Sequence, residues 1–260
     1  MGSSVVVTLW LPVFVVLLVS AIGWWAKALT ATGAGAATLL GAIITVAGGW
    51  VWLIPVGVFF VSSVGFGSLP SEVDEGIETR DMFQVMANGG VALVGLLLLT
   101  YDVVSLSEGI GIYLGSLAAA NADTWATEIG GRYGGFPNDL ISGARLHPGE
   151  SGGITVLGTL AALAGAFAVA ASGVLMGMPV RTTWDLVVLI AVAGWMGAMV
   201  DSVLGSIAQK KYRCRHCGDM TEQLSHCGVR TRRMRGFLSA NHVNLGCTLV
   251  GGFIGWMWAA

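Results

Sequence analysis

The sequence predicts an all-α fold, a polytopic integral membrane helix bundle of about 7–8 transmembrane helices, each formed by a run of about 20 mostly apolar residues. Three observations carry that expectation. Only 11% of the 260 residues are charged, where a soluble domain has about 25%. Hydrophobic residues reach 55%, and the mean hydropathy is +0.76. Glycine fills 39 positions, as in helices that pack closely within a bilayer. The formal net charge of −2 excludes a general nucleic-acid binder, which presents a basic face. The lipid bilayer is the expected solvent, and the chain reads as one transmembrane domain over 1–260.

Taken in order, the apolar runs are Val5 to Trp25, Thr32 to Gly48, Trp50 to Phe66, Gln84 to Thr100, Leu106 to Ala120, Gly153 to Gly177, Thr183 to Ile207 and Ser239 to Trp258. The first has no basic leader, so it reads as a retained span and not as a cleaved signal. The third and fifth are short, as re-entrant or tilted segments are. Trp50, Trp52, Trp184, Trp256 and Trp258 lie near span ends, in keeping with an interfacial aromatic belt. With eight spans, every lysine and arginine except Arg181 falls in loops on one side of the membrane. Basic residues near helix ends favour the cytoplasm. The long loops, 67–83, 121–152 and 208–238, are therefore expected on the cytoplasmic face. The pairs Gly111 and Gly115, Gly194 and Ala198, and Gly251 and Gly255 have small-xxx-small spacing and are read as packing sites.

Polar residues beside such spans are costly, and apolar packing does not explain them. In RDMFQVMANGG, Asp81, Gln84 and Asn88 share a helix face, lining a cavity or bonding between helices. In NADTWATEIG, Asn121, Thr124 and Glu128 share one face, with Asp123 and Thr127 beside it. Carboxylates and amides at that spacing suit a hard cation such as Mg²⁺, which binds one or two carboxylates together with substrate phosphates. The segment PGESGG carries Ser151, Gly152 and Gly153 into the sixth span, and its glycines let backbone amides approach an anion. Late in the seventh span Asp201 follows a long apolar run and needs either a metal or an ion-pair partner. Asn241 and Asn244 open the last span, as pocket residues or as interhelical glue.

Between the last two spans, Cys214 and Cys217 form a C-x-x-C pair, followed by His226 and Cys227. Such ligands suit tetrahedral Zn²⁺ in a structural site that ties a loop lacking its own apolar core. The alternatives are free thiols or a reversible disulfide, with His216 as a substitute ligand. Cys247, within the last span, reads as packing.

The segments RDMFQVMANGG, NADTWATEIG, PGESGGITVLGT, DSVLGSIAQKKYRCRHCG, TEQLSHCG and NHVN run in order from Arg80 to Asn244. In this the chain resembles the transmembrane-protein-nineteen-like family, which includes plant and cyanobacterial phytyl-phosphate kinases of tocopherol synthesis. More remotely, NADTWATEIGGRYGG followed by PGESGG is similar to a segment of dolichol and phytol kinases and of CDP-diacylglycerol synthases. The resemblance implies a membrane-embedded isoprenyl-phosphate kinase. It would transfer a phosphoryl group from a nucleoside triphosphate, by expectation CTP, to phytyl, farnesyl or geranylgeranyl monophosphate. Asp123 and Asp201 match the family's acidic positions. Over Gly67 to Glu78 this chain is mostly acidic where relatives are expected to be basic, which argues against a phosphate grip there.

On this reading Asp123, Glu128 and Asp201 hold Mg²⁺. Asn121, Thr124, Asn241 and Asn244 orient phosphates or metal waters, joined by Gln84, Asn88 and the 151–153 loop, with Arg80 and Lys211 as countercharges. Competing expectations are an isoprenoid alcohol kinase, a CTP-dependent cytidylyltransferase and, in another class, a transporter of an isoprenoid phosphate or cation.

Overall fold

A computed structural model describes residues 3–68, 79–147, 149–175, 183–218, 220–222 and 224–260, with the backbone alone for 3–9, 175 and 183. Arg181 and most of the acidic 67–78 stretch lie outside the described residues. Eight α-helices are described: α1 (Ser3–Trp25), α2 (Ala31–Gly48), α3 (Leu53–Gly67), α4 (Met82–Thr100), α5 (Leu106–Tyr133), α6 (Val156–Leu175), α7 (Thr183–Ile207) and α8 (Ala240–Ala259). A 3-10 turn, Trp50–Trp52, leads directly into α3. Among the described residues, five segments are long and apolar enough to cross a membrane: Ala31–Gly48, Trp50–Gly67, Met82–Thr100, Val156–Val174 and Trp184–Ile207.

The fifth helix departs most from expectation. Its apolar run stops near Ala120, yet the helix continues through NADTWATEIGGRY to Tyr133, 28 residues in all. It is neither short nor followed by a loop at 121, and the loop expected over 121–152 begins only at Gly134. A capping box starts it: the Ser105 hydroxyl accepts the Glu108 N–H, and the Glu108 carboxylate accepts the Ser105 N–H. The physical reason for its low hydropathy is position. α5 packs against α3, α4, α6, α7 and α8, so its side chains meet protein and need not be apolar to face lipid. The lipid-like surface lies on the peripheral helices, where Trp10, Phe14, Leu39, Val46 and Val61 are exposed.

Close approach to this axis depends on small residues. A β-carbon on Gly111 would strike the Gly255 carbonyl, and one on Gly115 the Gly251 carbonyl. Thus α5 and α8 pack backbone to backbone, as the spacing predicts. Gly194 of α7 sits against Ala118 in the same way. At the other contacts of α5, buried polar atoms find partners. The Tyr113 hydroxyl donates to the Trp52 carbonyl, and Asn121 donates from Nδ2 to the Gly165 carbonyl (2.8 Å) while its Oδ1 accepts from Ser62 Oγ (3.0 Å).

The connecting segments carry small antiparallel strands: β1 (Asn138–Asp139) with β2 (Gly153–Ile154), then β3 (Lys211–Arg213), β4 (Met220–Thr221), β5 (Ser225–His226), β6 (Val229–Arg230) and β7 (Arg232–Arg235). β3 is central between β4 and β7, and β5 pairs with β6.

Candidate functional site

Five helices meet around a polar cavity of about 240 Å³ at one end of the bundle. α4, α6 and α8 present their first two turns to it, through Gln84 and Asn88, Gly158 and Thr159, and Ala240 and Asn244. Helix N-termini carry partial positive charge, so three of them around one cavity favour an anion, although the Gln84 and Gly158 N–H groups are already accepted by Asp81 and Thr155. α5 and α7 bring Asp123, Thr124, Thr127, Glu128, Asp201 and Ser202 from their C-terminal halves. Four polar clusters far apart in sequence thereby share one wall.

Asp123 and Asp201 face each other within hydrogen-bonding reach. Two carboxylates that close repel unless a proton or a cation lies between them. Asp201 Oδ1 is buried and lacks a hydrogen-bond partner, and so does Ser151 Oγ on the neighbouring loop. Buried polar atoms are nearly always paired, so two orphans lining one cavity point to a ligand. A hard divalent cation fits the oxygen donors.

Several expected residues occupy other roles. Glu128 lines the cavity but is ion-paired with Arg132, one turn on, which also donates to the Gly67 carbonyl at 3.3 Å. Its charge is already neutralised, so of the three acids expected to hold a cation Asp123 and Asp201 are the two left for that role. Asn121 is fully buried behind the cavity, with both ends of its amide committed to Ser62 and Gly165, and does not line it. The Thr124 hydroxyl donates to the Ala120 carbonyl of its own helix (2.9 Å), leaving only acceptor capacity. Asp81 caps α4, accepting the Gln84 N–H at 2.9 Å. Asn241 is half-buried in the first turn of α8, outside the lining. Arg80 does line the cavity. Its backbone is pinned to the α1–α2 connection, since Arg80 N donates to the Ala28 carbonyl and Thr30 N to the Arg80 carbonyl, both at 3.0 Å.

Lys211 lies beneath the cavity and outside its lining. It is buried, and Nζ donates to the Ser151 carbonyl at 2.5 Å, fixing the loop that carries the orphan hydroxyl. Burial, and then the charge of Arg235, lowers its ammonium below the usual lysine range, against the pull of Glu150, Asp139 and Glu222. Gly152 has φ +84°, and a β-carbon there would sit 2.5 Å from Ser206 Cα. Its glycine is thus required by the approach of the loop to α7.

Sequence reasoning missed Asp139, which anchors the same loop. This buried carboxylate accepts from Ser142 N and Oγ, both at 2.8 Å, from Ile141 N at 3.2 Å, and from Ser206 Oγ of α7 at 2.8 and 3.0 Å. Burial opposes its ionisation, but these donors outweigh it and hold the carboxyl at about 2. The available signal was the D-x-x-S spacing of Asp139 and Ser142, which permits an Asx turn. Gln209 and Glu222 were also missed as a pair. Both line the cavity, joined by Gln209 Nε2 to Glu222 Oε2 at 2.5 Å. Their 13-residue separation leaves no local pattern to read.

Cys214, Cys217, His226 and Cys227 come together as the spacing suggests, each offering one ligand atom within 4.8 Å of the others. His216 is outside that group. Its backbone N–H donates to Cys214 Sγ at 3.4 Å. Cys247 is buried between α8 and α5, with Sγ 3.5 Å from the Ala119 carbonyl.

The family model for integral membrane protein DUF92 matches residues 14–252. The chain belongs to the DUF92 family. Within reach of this DUF92 chain, an uncharacterized membrane protein of Methanocaldococcus jannaschii is 28% identical over 225 residues, covering 84% of this chain and 80% of the relative. Protein PGR of Arabidopsis thaliana is 29% identical over 151 residues, 50% of this chain and 52% of that protein. An uncharacterized membrane protein of a Synechocystis strain is 28% identical over 195 residues, 72% of this chain and 74% of its own. No solved structure matches. The family match supports an integral membrane protein with the bilayer as its surroundings.

Proposed function

We propose that this DUF92 protein is a membrane-embedded isoprenyl-phosphate kinase that uses a nucleoside triphosphate, CTP by preference, with the polar cavity on the cytoplasmic face. The observation that carries this reading is the facing pair Asp123 and Asp201, with an orphan oxygen on Asp201, in a cavity onto which three helix N-termini open. The carboxylate pair calls for a cation, and the helix ends call for an anion. A magnesium-bound nucleotide satisfies both demands at once.

In the reaction an oxygen of the isoprenyl monophosphate attacks the γ-phosphorus of the nucleotide. The bond from that phosphorus to the β–γ bridging oxygen breaks, leaving the nucleoside diphosphate and the isoprenyl diphosphate. The nucleophile is already an anion, so no general base is required, and catalysis reduces to positioning and charge neutralisation. Asp123 and Asp201 would hold Mg²⁺, which when bound neutralises phosphate oxygens. Arg80 supplies the second positive charge. Gln84, Asn88, Asn244 and Ser151 Oγ offer hydrogen bonds to phosphate oxygens, and Asp139 and Lys211 keep the 149–153 loop in place from below. The isoprenoid tail, being apolar, would leave the cavity toward the membrane among the helices.

The test is product analysis with purified protein, Mg²⁺, each of the four nucleoside triphosphates, and phytyl, farnesyl or geranylgeranyl monophosphate. The diphosphate is the expected product. A CDP-isoprenoid with released pyrophosphate would mean a cytidylyltransferase, and phosphorylation of the free alcohol alone would mean an alcohol kinase. Substrate flux across vesicles without nucleotide turnover would replace the kinase reading with transport.

A further inference from the structure

The segment between α7 and α8 holds its shape without an apolar core. Among the described residues from 211 to 238, no aliphatic or aromatic side chain is buried, and Leu224 and Phe237 are 66% and 70% exposed. A segment of this kind needs a covalent or metal tie. Two hairpins supply the converging groups. The first, β3 with β4, closes through Cys214 to Gly218, where Gly218 has φ +85°. The second, β5 with β6, turns on Cys227 and Gly228, at φ 52° and 70°. Positive φ at both central positions is the type I′ arrangement that favours Asn-Gly. A cysteine is an unusual choice at the first of these positions, and a strained residue of this kind is retained where its side chain has a task.

The separations point to that task. With Zn–S near 2.3 Å and Zn–N near 2.0–2.1 Å, tetrahedral geometry places two sulfurs about 3.8 Å apart and sulfur and nitrogen about 3.5 Å apart. Here Cys227 Sγ and Cys217 Sγ are 3.8 Å apart, Cys217 Sγ and His226 Nδ1 3.5 Å, and Cys227 Sγ and His226 Nδ1 3.3 Å. A disulfide needs about 2.05 Å between sulfurs, well short of the spacing here.

We infer that Cys214, Cys217, Cys227 and His226 through Nδ1 bind one zinc-class metal ion, which fastens the two hairpins and so positions groups at the polar cavity. The same short strands carry those groups. β3 begins with Lys211 under the Ser151 carbonyl and runs into Cys214, while Glu222 follows β4 and meets Gln209 on the cavity wall. This site is independent of which reaction the cavity performs.

The experiment is elemental analysis of the full-length protein purified in detergent, without added metal, together with Cys217→Ala, Cys227→Ala, His226→Cys and Cys247→Ala. The expected result is about one zinc per chain in wild type and Cys247→Ala, and loss of most of it in the two ligand-to-alanine variants. His226→Cys keeps the metal, because four thiolates also suit zinc. After exchange with Co²⁺, wild type gives intense tetrahedral d–d bands with thiolate charge transfer, and these bands shift in His226→Cys. Chelation of wild type exposes the 208–238 segment to limited proteolysis. Folded wild-type protein with negligible zinc and no cobalt spectrum would overturn the inference, as would zinc retained in both alanine variants or a Cys217–Cys227 disulfide in the purified chain.

Discussion

The polar cavity and the cysteine cluster lie at the same end of the bundle, yet they are built in opposite ways. The cavity draws on α4, α5, α6, α7 and α8 and on three connecting segments, so its carboxylates meet only when the whole bundle is packed. The cluster draws on 14 consecutive positions, Cys214 to Cys227, and closes through its own hairpin turns. Side chains in the first are held by helix packing and in the second by local turns. It follows that the cavity should tolerate loss of a charge without unfolding, whereas the cluster should loosen as a unit.

The largest effect expected is on the proposed phosphoryl transfer. Asp123→Asn or Asp201→Asn should lower phosphoryl transfer by about 10²–10³-fold or more, a loss typical of removing one preorganised electrostatic partner. Thermal unfolding of Asp201→Asn should occur at the same or a higher temperature, because a buried unpartnered carboxylate oxygen is replaced by a neutral amide. A cavity that served only structure would show the reverse pattern, with lower stability in these variants.

Gly152→Ala comes next. It forces a β-carbon against Ser206 at a positive φ, and should cost roughly 1–3 kcal/mol by analogy with other strained backbone positions. Denaturant unfolding measures this, and unchanged stability would mean that the loop packs on α7 less closely than the geometry requires. Asn121→Ala, two positions from Asp123, should cost roughly 1–3 kcal/mol, about 0.5–1.5 kcal/mol for each of the two buried interhelical hydrogen bonds lost, to the Gly165 carbonyl and from the Ser62 hydroxyl. Its transfer rate per folded molecule should stay near wild type, measured against active-site titration. A rate loss like that of Asp123→Asn would return Asn121 to the site.

The smallest effect is on pH dependence. The folded carboxyl of Asp139 lies at about 2, below its ordinary value of 3.8. Its stabilising contribution is therefore complete above the unfolded value and fades as pH falls from about 4 toward 2. Proteolytic nicking of the 134–155 loop should rise over that window in wild type and lose this dependence in Asp139→Asn.

Different physics made different parts legible in the sequence. The membrane spans follow from hydropathy, and the cysteine cluster from spacing, because both are local properties. Asp123 and Asp201 were legible because an acid beside an apolar run demands a partner. The extension of α5 to Tyr133 was hidden, since a helix enclosed by protein has no need of the apolar signal that lipid imposes. Asn121 looked like a site residue for the same reason that it is useful as glue: a buried amide must be fully bonded, whichever partner provides the bonds. Glu128 could not be separated from the two aspartates by spacing, because its pairing with Arg132 depends on the helix continuing one more turn. Asp139 and Glu222 lie on short strands and turns, where their partners come from α7 and the segment after it.

A Mn²⁺ titration followed by electron paramagnetic resonance, with CTP present, isolates the carboxylate pair, because Mn²⁺ prefers oxygen ligands and leaves thiolates to softer metals. Wild type should bind about one tightly held Mn²⁺ per chain, with Asp201→Asn losing it and Cys227→Ala keeping it. Indistinguishable titrations for wild type and Asp201→Asn would contradict a cation held between Asp123 and Asp201, and with it the proposed joining of two phosphates in this cavity.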